Sequence, residues 1–325
     1  MKAIVQDMYG SADVLELRDV DKPADPAIGG KDVLIRVRAA AVDAGVWHLM
    51  RGRPYLVRLM GYGLRAPKER VRGREVAGVV EAVGGAVTRF RPGDEVFGFC
   101  EGAFAEYVRA PEDRFLAKPE NLGFEESAAV PISGVTALQA VRDAGRVRPG
   151  QRVLVIGAAG GVGTYAVQLA KAYGAAVTGV CSTAKTELVR SIGADEVIDY
   201  TREDLPSTGR YDVIVDTAGH RSLALLRRVL APRGTLVIVG SEGGGRWLGG
   251  TDRVLRAALL SPFTGQRLRG LMSVERTADL EVLRDLIETG KVRPVIDRTH
   301  SLSEVPEVIR RLERGNAKGK SVISV

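Results

Sequence analysis

The stretch Arg152–Ile156 runs straight into Gly157-Ala-Ala-Gly160-Gly161-Val162-Gly163. A helical pattern follows at once over Val162–Tyr173, with Val162, Ala166, Leu169, Ala170 and Tyr173 on one stripe. A buried strand, a glycine turn and a helix without a gap constrain a chain strongly. Glycines let the backbone approach a pyrophosphate, and a helix N-terminus offers free N–H groups at the positive end of its dipole. The first glycine spacing is three, where GxGxxG has two. A glycine-rich turn alone is no more than a tight turn, so the weight rests on the strand before it, the helix after it and the alternation beyond.

That alternation continues. Strand patterns at Ala176–Val180, Glu196–Ile198, Val213–Asp216 and Thr235–Val239 are separated by helical ones at Ala184–Ile192 and Leu223–Leu230, and Arg267–Met272 offers a last strand. Buried strands alternating with amphipathic helices predict a parallel, doubly wound sheet. Before residue 122 the pattern differs. Val33, Ile35 and Val37 alternate with Leu34, Arg36 and Arg38. Val76–Val83 is a further apolar run, Arg91-Pro92-Gly93-Asp94 is a turn, and Phe104–Val108 resumes as a strand. Short strands with Gly/Pro turns predict a small barrel. The tail offers helices at Asp279–Thr289 and Glu304–Arg314, with a strand at Val292–Ile296 between them. A length of 325 residues suits two such domains.

The second strand of the alternating half ends at Val180-Cys181-Ser182-Thr183-Ala184-Lys185. A site for NAD places a carboxylate there to bind the ribose hydroxyls. None occurs before Glu187. A hydroxyl and a cation suit a 2′-phosphate instead. Ser182 and Lys185, with Tyr200 after the third strand, therefore favour NADP(H). The competing reading makes Ser182 a helix cap and Lys185 a solvated cation.

Residues 51–74 hold eight cations (Arg51, Arg53, Arg58, Arg65, Lys68, Arg70, Arg72, Arg74) against Glu69 alone, so this segment accounts for the whole formal charge of +7. The sequence pI of about 9.5 is thus a local feature. Apolar residues at 55–57, 59–60, 62 and 64 lie among the arginines. Three readings stay open: a solvated lid, steering of an anionic acceptor or cofactor, and peripheral contact with an anionic membrane surface. Without an extended basic track, nucleic acid is not expected. Cys100 and Cys181 are too few for a disulfide framework or a four-cysteine zinc lobe, and no signal-peptide pattern or membrane-length apolar run is present. The expected location is the cytoplasm.

Taken together, the opening Met1-Lys2-Ala3, Gly73–Val83, Arg91–Val96, Val130–Leu138, Gly157–Gly163, Gly193-Ala194-Asp195 and Gly319-Lys320 resemble the medium-chain dehydrogenase/reductases, in their zinc-free quinone-oxidoreductase-like (zeta-crystallin-like) branch. The resemblance implies a GroES-like β-barrel catalytic domain over 1–122 and 273–325, with a Rossmann domain inserted over 123–272. Zinc-dependent relatives carry a Cys where this chain has Asp43 and a His where it has Arg74. His48, His220 and His300 form no ligand spacing, so no metal is expected. Without a Lewis acid the hydride acceptor must already be activated, which points to a quinone or an α,β-unsaturated carbonyl. His48 and Asp43 become the candidate catalytic residues, His48 as a donor near the acceptor oxygen and Asp43 as an acceptor toward cofactor. Capping of the next helix by Asp43 and a mere lining role for His48 compete with these.

By family position the cofactor contacts are Thr136, Ala159, Gly160, Gly161, Val162, Gly163, Thr217, Gly240, Ser241 and Lys318, beside Ser182, Lys185 and Tyr200. Lys320 is a further candidate for charge at the 2′-phosphate, or a solvated tail residue. A homodimer through Arg267–Met272 is implied, and residues 51–74 fall at the mouth of the family's cleft. A zinc-free alcohol or ketone oxidoreductase and a non-catalytic NADPH-binding protein are the alternatives. A short-chain dehydrogenase is not, since no Tyr has Lys four residues later.

Overall fold

The computed structural model describes residues 1–23, 29–55, 58–206, 210–240, 247, 249–315 and 317–325. It divides into two compact units, Met1–Ser133 with Glu275–Glu288 and Pro294–Val325, and Gly134–Val274 with Thr289–Arg293.

In the first unit, β1 (Lys2–Gln6) and β2 (Leu15–Asp19) form an antiparallel pair. β3 (Asp32–Val42), β4 (Glu75–Val83), β5 (Glu95–Phe99), β6 (Tyr107–Pro111) and β7 (Phe115–Ala117) follow. The helices are α1 (Ala44–Arg51), α2 (Phe124–Ala128) and the start of α3 (Pro131–Leu138), which carries the chain into the second unit. α2 packs on β3 and β4. The first unit accordingly runs to Ser133.

The second unit contains β8 (Arg152–Ile156), α4 (Gly161–Ala172), β9 (Ala176–Cys181), α5 (Thr186–Ser191), β10 (Glu196–Asp199) and β11 (Tyr211–Asp216). It continues with α6 (Leu223–Val229), β12 (Leu230–Ile238), α7 (Thr251–Leu260) and β13 (Arg267–Gly270). Its sheet is wholly parallel in the order β10-β9-β8-β11-β12-β13, which reverses direction between β8 and β11. Ligands of such sheets bind beyond the carboxyl ends of the strands at that reversal.

The tail returns to the first unit as α8 (Thr277–Glu288), β14 (Ile296–Ser301), α9 (Val305–Glu313) and β15 (Lys320–Ser324). β15 pairs with β3, and the first unit's larger sheet runs β14-β15-β3-β4-β5-β7, with β6 also on β3. β3 can serve three partners because β6 takes its Asp32–Arg36 half and β15 its Ala39–Val42 end, while β4 pairs along Val33–Ala40. Leu34 is buried as well, although simple alternation with Val33, Ile35 and Val37 assigns it to the exposed face.

Three strand and helix readings need correction. The tail strand covers Ile296–Ser301, not Val292–Ile296. Phe104 precedes its strand, with its N–H bonded to the Arg72 carbonyl, and β6 starts at Tyr107. The helix read over Ala184–Ile192 is a 3-10 turn, Thr183–Lys185, followed by α5.

Candidate active site

In the second unit the glycine turn closes on itself. Gly157 adopts φ +78, and the N–H groups of Gly157 and Ala158 both donate to the Val180 carbonyl at 3.1 Å. The Thr217 hydroxyl donates to the Ile156 carbonyl at 2.8 Å. A Cβ on Gly163 would lie 2.0 Å from the Gly157 carbonyl oxygen, and one on Gly240 2.1 Å from that of Thr217. These glycines are therefore fixed by close backbone approach, and they gather Thr217 and Gly240 beside the turn at the ends of β8, β11 and β12. Gly160 caps α4 in extended conformation with no side-chain cap. The first-turn N–H groups at Gly161 and Val162 are left to a ligand or to water. Ala159 is buried behind them. Backbone donors around a space that no side chain fills fit the pyrophosphate of a dinucleotide.

At the neighbouring corner, the Tyr200 N–H donates to the Cys181 carbonyl at 3.1 Å, which brings Tyr200 beside Ser182 and Lys185. Tyr200 is exposed, whereas Ser182 and Lys185 are half-buried. The Ser182 side chain makes no capping bond. The acid of this corner, which the sequence reading passed over, is Asp199. One of its oxygens accepts from the Thr183 hydroxyl at 2.5 Å, and the other from the N–H and hydroxyl of Thr201 at 3.0 and 2.7 Å. These bonds hold its carboxyl below the usual range. Burial, with the Asp199 charge adding to it, pushes the Cys181 thiol up to about 11. Of the other cofactor candidates, Thr136 is half-buried on α3 and Lys318 is exposed in the turn before β15. Ser241 lies outside the described residues.

In the first unit, Asp43 caps α1, with Oδ1 accepting from the Gly45 N–H at 2.6 Å. Oδ2 is buried and has no hydrogen-bond partner among the described residues. His48 lies in the last turn of α1, half-buried, its ring 4.5 Å from that of Trp47. The Arg74 guanidinium stands over the helix start, 3.7 Å from Asp43 Oδ1 and 2.5 Å from a Glu275 oxygen, and Arg114 binds the other Glu275 oxygen. Burial works against the Arg74 charge, yet Asp43 and Glu275 together hold its pKa above the ordinary arginine value. The next residue, Glu75, is fully buried. It pairs with Lys320 and accepts from the Ile132 N–H at 2.9 Å, while Lys320 Nζ donates to the Val42 carbonyl at 3.0 Å. Lys320, only 2% exposed, is therefore neither a solvated tail residue nor a 2′-phosphate ligand, because its charge is spent on Glu75. Arg74, with Glu275 behind it, stands against Asp43, and the Glu75–Lys320 pair lies beside Val42, the residue before it. Nothing local in the sequence links them, since Glu75 and Lys320 are 245 residues apart.

His220 lies in the loop after β11 and His300 on β14, and Glu75 is held by Lys320. Among the described residues no three His, Cys, Asp or Glu side chains are grouped to hold an ion.

Residues 29–120 match the alcohol dehydrogenase GroES-like domain, and residues 192–323 match a family described as zinc-binding dehydrogenase. The mitochondrial NAD(P)H oxidoreductase RTN4IP1 of Mus musculus is 34% identical over 100% of this chain and 89% of its own length. The 2-methylene-furan-3-one reductase of Solanum lycopersicum is 36% identical over 99% of this chain and 79% of its own. The solved structure of the quinone oxidoreductase from Coxiella burnetii superposes with a TM-score of 0.85 at 30% identity, covering 100% of this chain and 99% of that one. A GroES-like unit joined to a parallel sheet with a dinucleotide cradle defines an oxidoreductase that uses a nicotinamide cofactor. The chain belongs to the medium-chain dehydrogenase/reductases, in their quinone-oxidoreductase-like branch. Although the second family's description names zinc, the donor set described above does not fit one.

Proposed function

We propose that this enzyme uses NADPH and delivers hydride, without a metal, to a quinone or an α,β-unsaturated carbonyl. The observation that carries the cofactor choice is the corner at the ends of β9 and β10. Ser182, Lys185 and Tyr200 gather there, while both oxygens of Asp199 are already engaged by Thr183 and Thr201. A hydroxyl, an ammonium and a phenol favour a 2′-phosphate, and an engaged carboxylate is a poor acceptor for a ribose 2′-hydroxyl. In a Lys185→Glu variant the Michaelis constant for NADPH rises at least tenfold, roughly what one lost charge-assisted contact costs, with little change for NADH. Equal effects on the two cofactors overturn the NADPH reading.

Bound nicotinamide supplies the hydride. The chain binds the pyrophosphate on the N–H groups that open α4, presents Asp43 Oδ2 as an acceptor, and offers His48 as a donor to the oxygen that gains charge. Asp43 caps α1 and His48 sits in its last turn, and the helix start is fixed by Asp43 itself and by Arg74. The lack of a zinc donor set among the described residues supports an acceptor activated before it binds, and the enone and quinone reductases among the relatives act on such acceptors by name. His48→Phe lowers turnover by roughly tenfold or more; unchanged turnover removes His48 as a donor. One tightly bound zinc per chain that activity requires overturns the metal-free reading.

A homodimer through β13 is part of the same proposal. β13 is the edge of its sheet, and Phe263 and Met272 beside it are 87% and 77% exposed. Edge strands with apolar surroundings pair readily. Sedimentation of wild type as a dimer and of Phe263→Glu as a monomer is the expected pair of results; a wild-type monomer refutes the dimer.

A further inference from the structure

Although residues 51–74 carry all of the net charge, most of that charge is spent inside the first unit. Arg51 pairs with Glu313 at 3.1 Å, Arg70 with Asp7, and Arg74 with Glu275 and Asp43. Arg72 is buried, and Arg58 lies across the rings of Tyr9 and Tyr55 at 4.3 and 4.9 Å. What faces outward is the stretch from Leu59 to Lys68. Leu59 is 73% exposed, Met60 54% and Leu64 66%, with Tyr62 at the edge of exposure beside them. Arg65 and Lys68 are exposed as well, and no acid occurs between residues 51 and 68.

The base of this stretch is tied down. The Tyr9 hydroxyl reaches the carbonyls of Tyr62 and Gly63 at 2.8 and 2.7 Å, the Lys68 N–H donates to the Tyr62 carbonyl at 2.9 Å, and Arg58 Nε donates to the Gly52 carbonyl at 2.9 Å. Apolar side chains are thus held in water by a braced loop, with cations at its foot.

We propose that Leu59–Lys68 docks on the surface of an anionic lipid bilayer. Leu59, Met60 and Leu64 enter the boundary of the acyl chains, Tyr62 sits at headgroup level, and Arg65 and Lys68 meet lipid phosphates. The charge complementarity selects this occupant. Apolar tips bracketed by cations on one short loop match the layering of an anionic interface, apolar beneath and negative above. The inference stands apart from the proposed reaction.

Co-sedimentation of the full chain with vesicles tests it, using phosphatidylcholine alone and phosphatidylcholine with a quarter phosphatidylserine, at low and high salt. Wild type sediments with the phosphatidylserine vesicles at low salt and is released at high salt. R65E/K68E weakens that partition at least tenfold, since each cation near such a surface contributes about 1 kcal/mol. L59S/M60S/L64S weakens it similarly while keeping all the charge. Unchanged circular-dichroism melting shows that both variants fold. The proposal falls if wild type ignores the phosphatidylserine vesicles, which leaves a protein as the loop's partner. It also falls if L59S/M60S/L64S sediments as wild type does, which places any lipid contact elsewhere.

Discussion

Lys320 and Glu75 show what a single pair of residues does for this site. Burying either charge alone is costly, so removing one partner does more damage than removing both. Lys320→Met is expected to destabilise the protein by about 3–5 kcal/mol in urea melts, and Lys320→Met with Glu75→Leu to regain most of that loss. Equal stability of the two variants means the pair is not the source. The thiols give a second prediction at this scale. Burial raises the Cys100 thiol well above its ordinary value and Cys181 to about 11. Thiolate is the reactive form, so neither is alkylated by iodoacetamide at mildly alkaline pH until the protein unfolds. Mass spectrometry after brief exposure checks this, and fast native labelling of either contradicts it. The sequence showed which residues were unusual here and not what they touch. Asp43 and Arg74 stood out at positions where zinc-dependent relatives carry ligands. The Arg74 partner Glu275 comes from the far end of the chain, and pairing over 201 residues leaves no local pattern.

The glycine turn is the element most sensitive to one methyl group. A Cβ at position 163 would meet the Gly157 carbonyl oxygen at 2.0 Å, whereas one at position 160 meets the same atom at 3.3 Å. Gly163→Ala should therefore abolish binding of the reduced nicotinamide cofactor measured by fluorescence, and Gly160→Ala should weaken it only modestly. A reversed order contradicts the cradle. At α9, Glu304 accepts from the Ser301 N–H and hydroxyl, both at 2.8 Å. The backbone bond first, then the hydroxyl, holds its carboxyl at about 2 against an ordinary 4.5. A carboxyl depressed on folding stabilises the fold above its ordinary value and loses that contribution as pH falls toward the folded one. The stability gap between wild type and Glu304→Gln should be full near neutrality and close as pH drops from about 4.5 to about 2; a gap independent of pH counts against the cap. Elements were legible where they are buried. Val153–Ile156 and Val213–Asp216 read as strands because nothing solvent-facing interrupts them. β14, Ile-Asp-Arg-Thr-His-Ser, has no fully buried residue and so no apolar run, which is why the tail strand was placed on the more apolar Val292–Ile296.

At the scale of the whole molecule, the first unit is assembled from three stretches of chain. Its sheet places β15 between β14 and β3. Deleting Gly319–Val325 removes that strand together with Lys320, and β3 and β14 lose their common neighbour. Such a deletion should yield protein whose first unit is digested rapidly by trypsin while fragments of Gly134–Val274 persist; uniform resistance would show that β15 is dispensable. The doubly wound half was readable as a whole because its strands and helices follow one another in order. The first unit was readable only in part, because β3 and β15 are distant in sequence. That distance also sets a clock for synthesis. Val42 and Lys320 are 278 residues apart, and a ribosome adding roughly 5–20 residues per second needs about 15–60 s to make the second after the first. Through that interval the end of β3 is an open strand edge on a nascent chain, and the buried Glu75 has no counter-ion. Demand for chaperones at this stage should therefore follow translation speed rather than the stability of the finished enzyme.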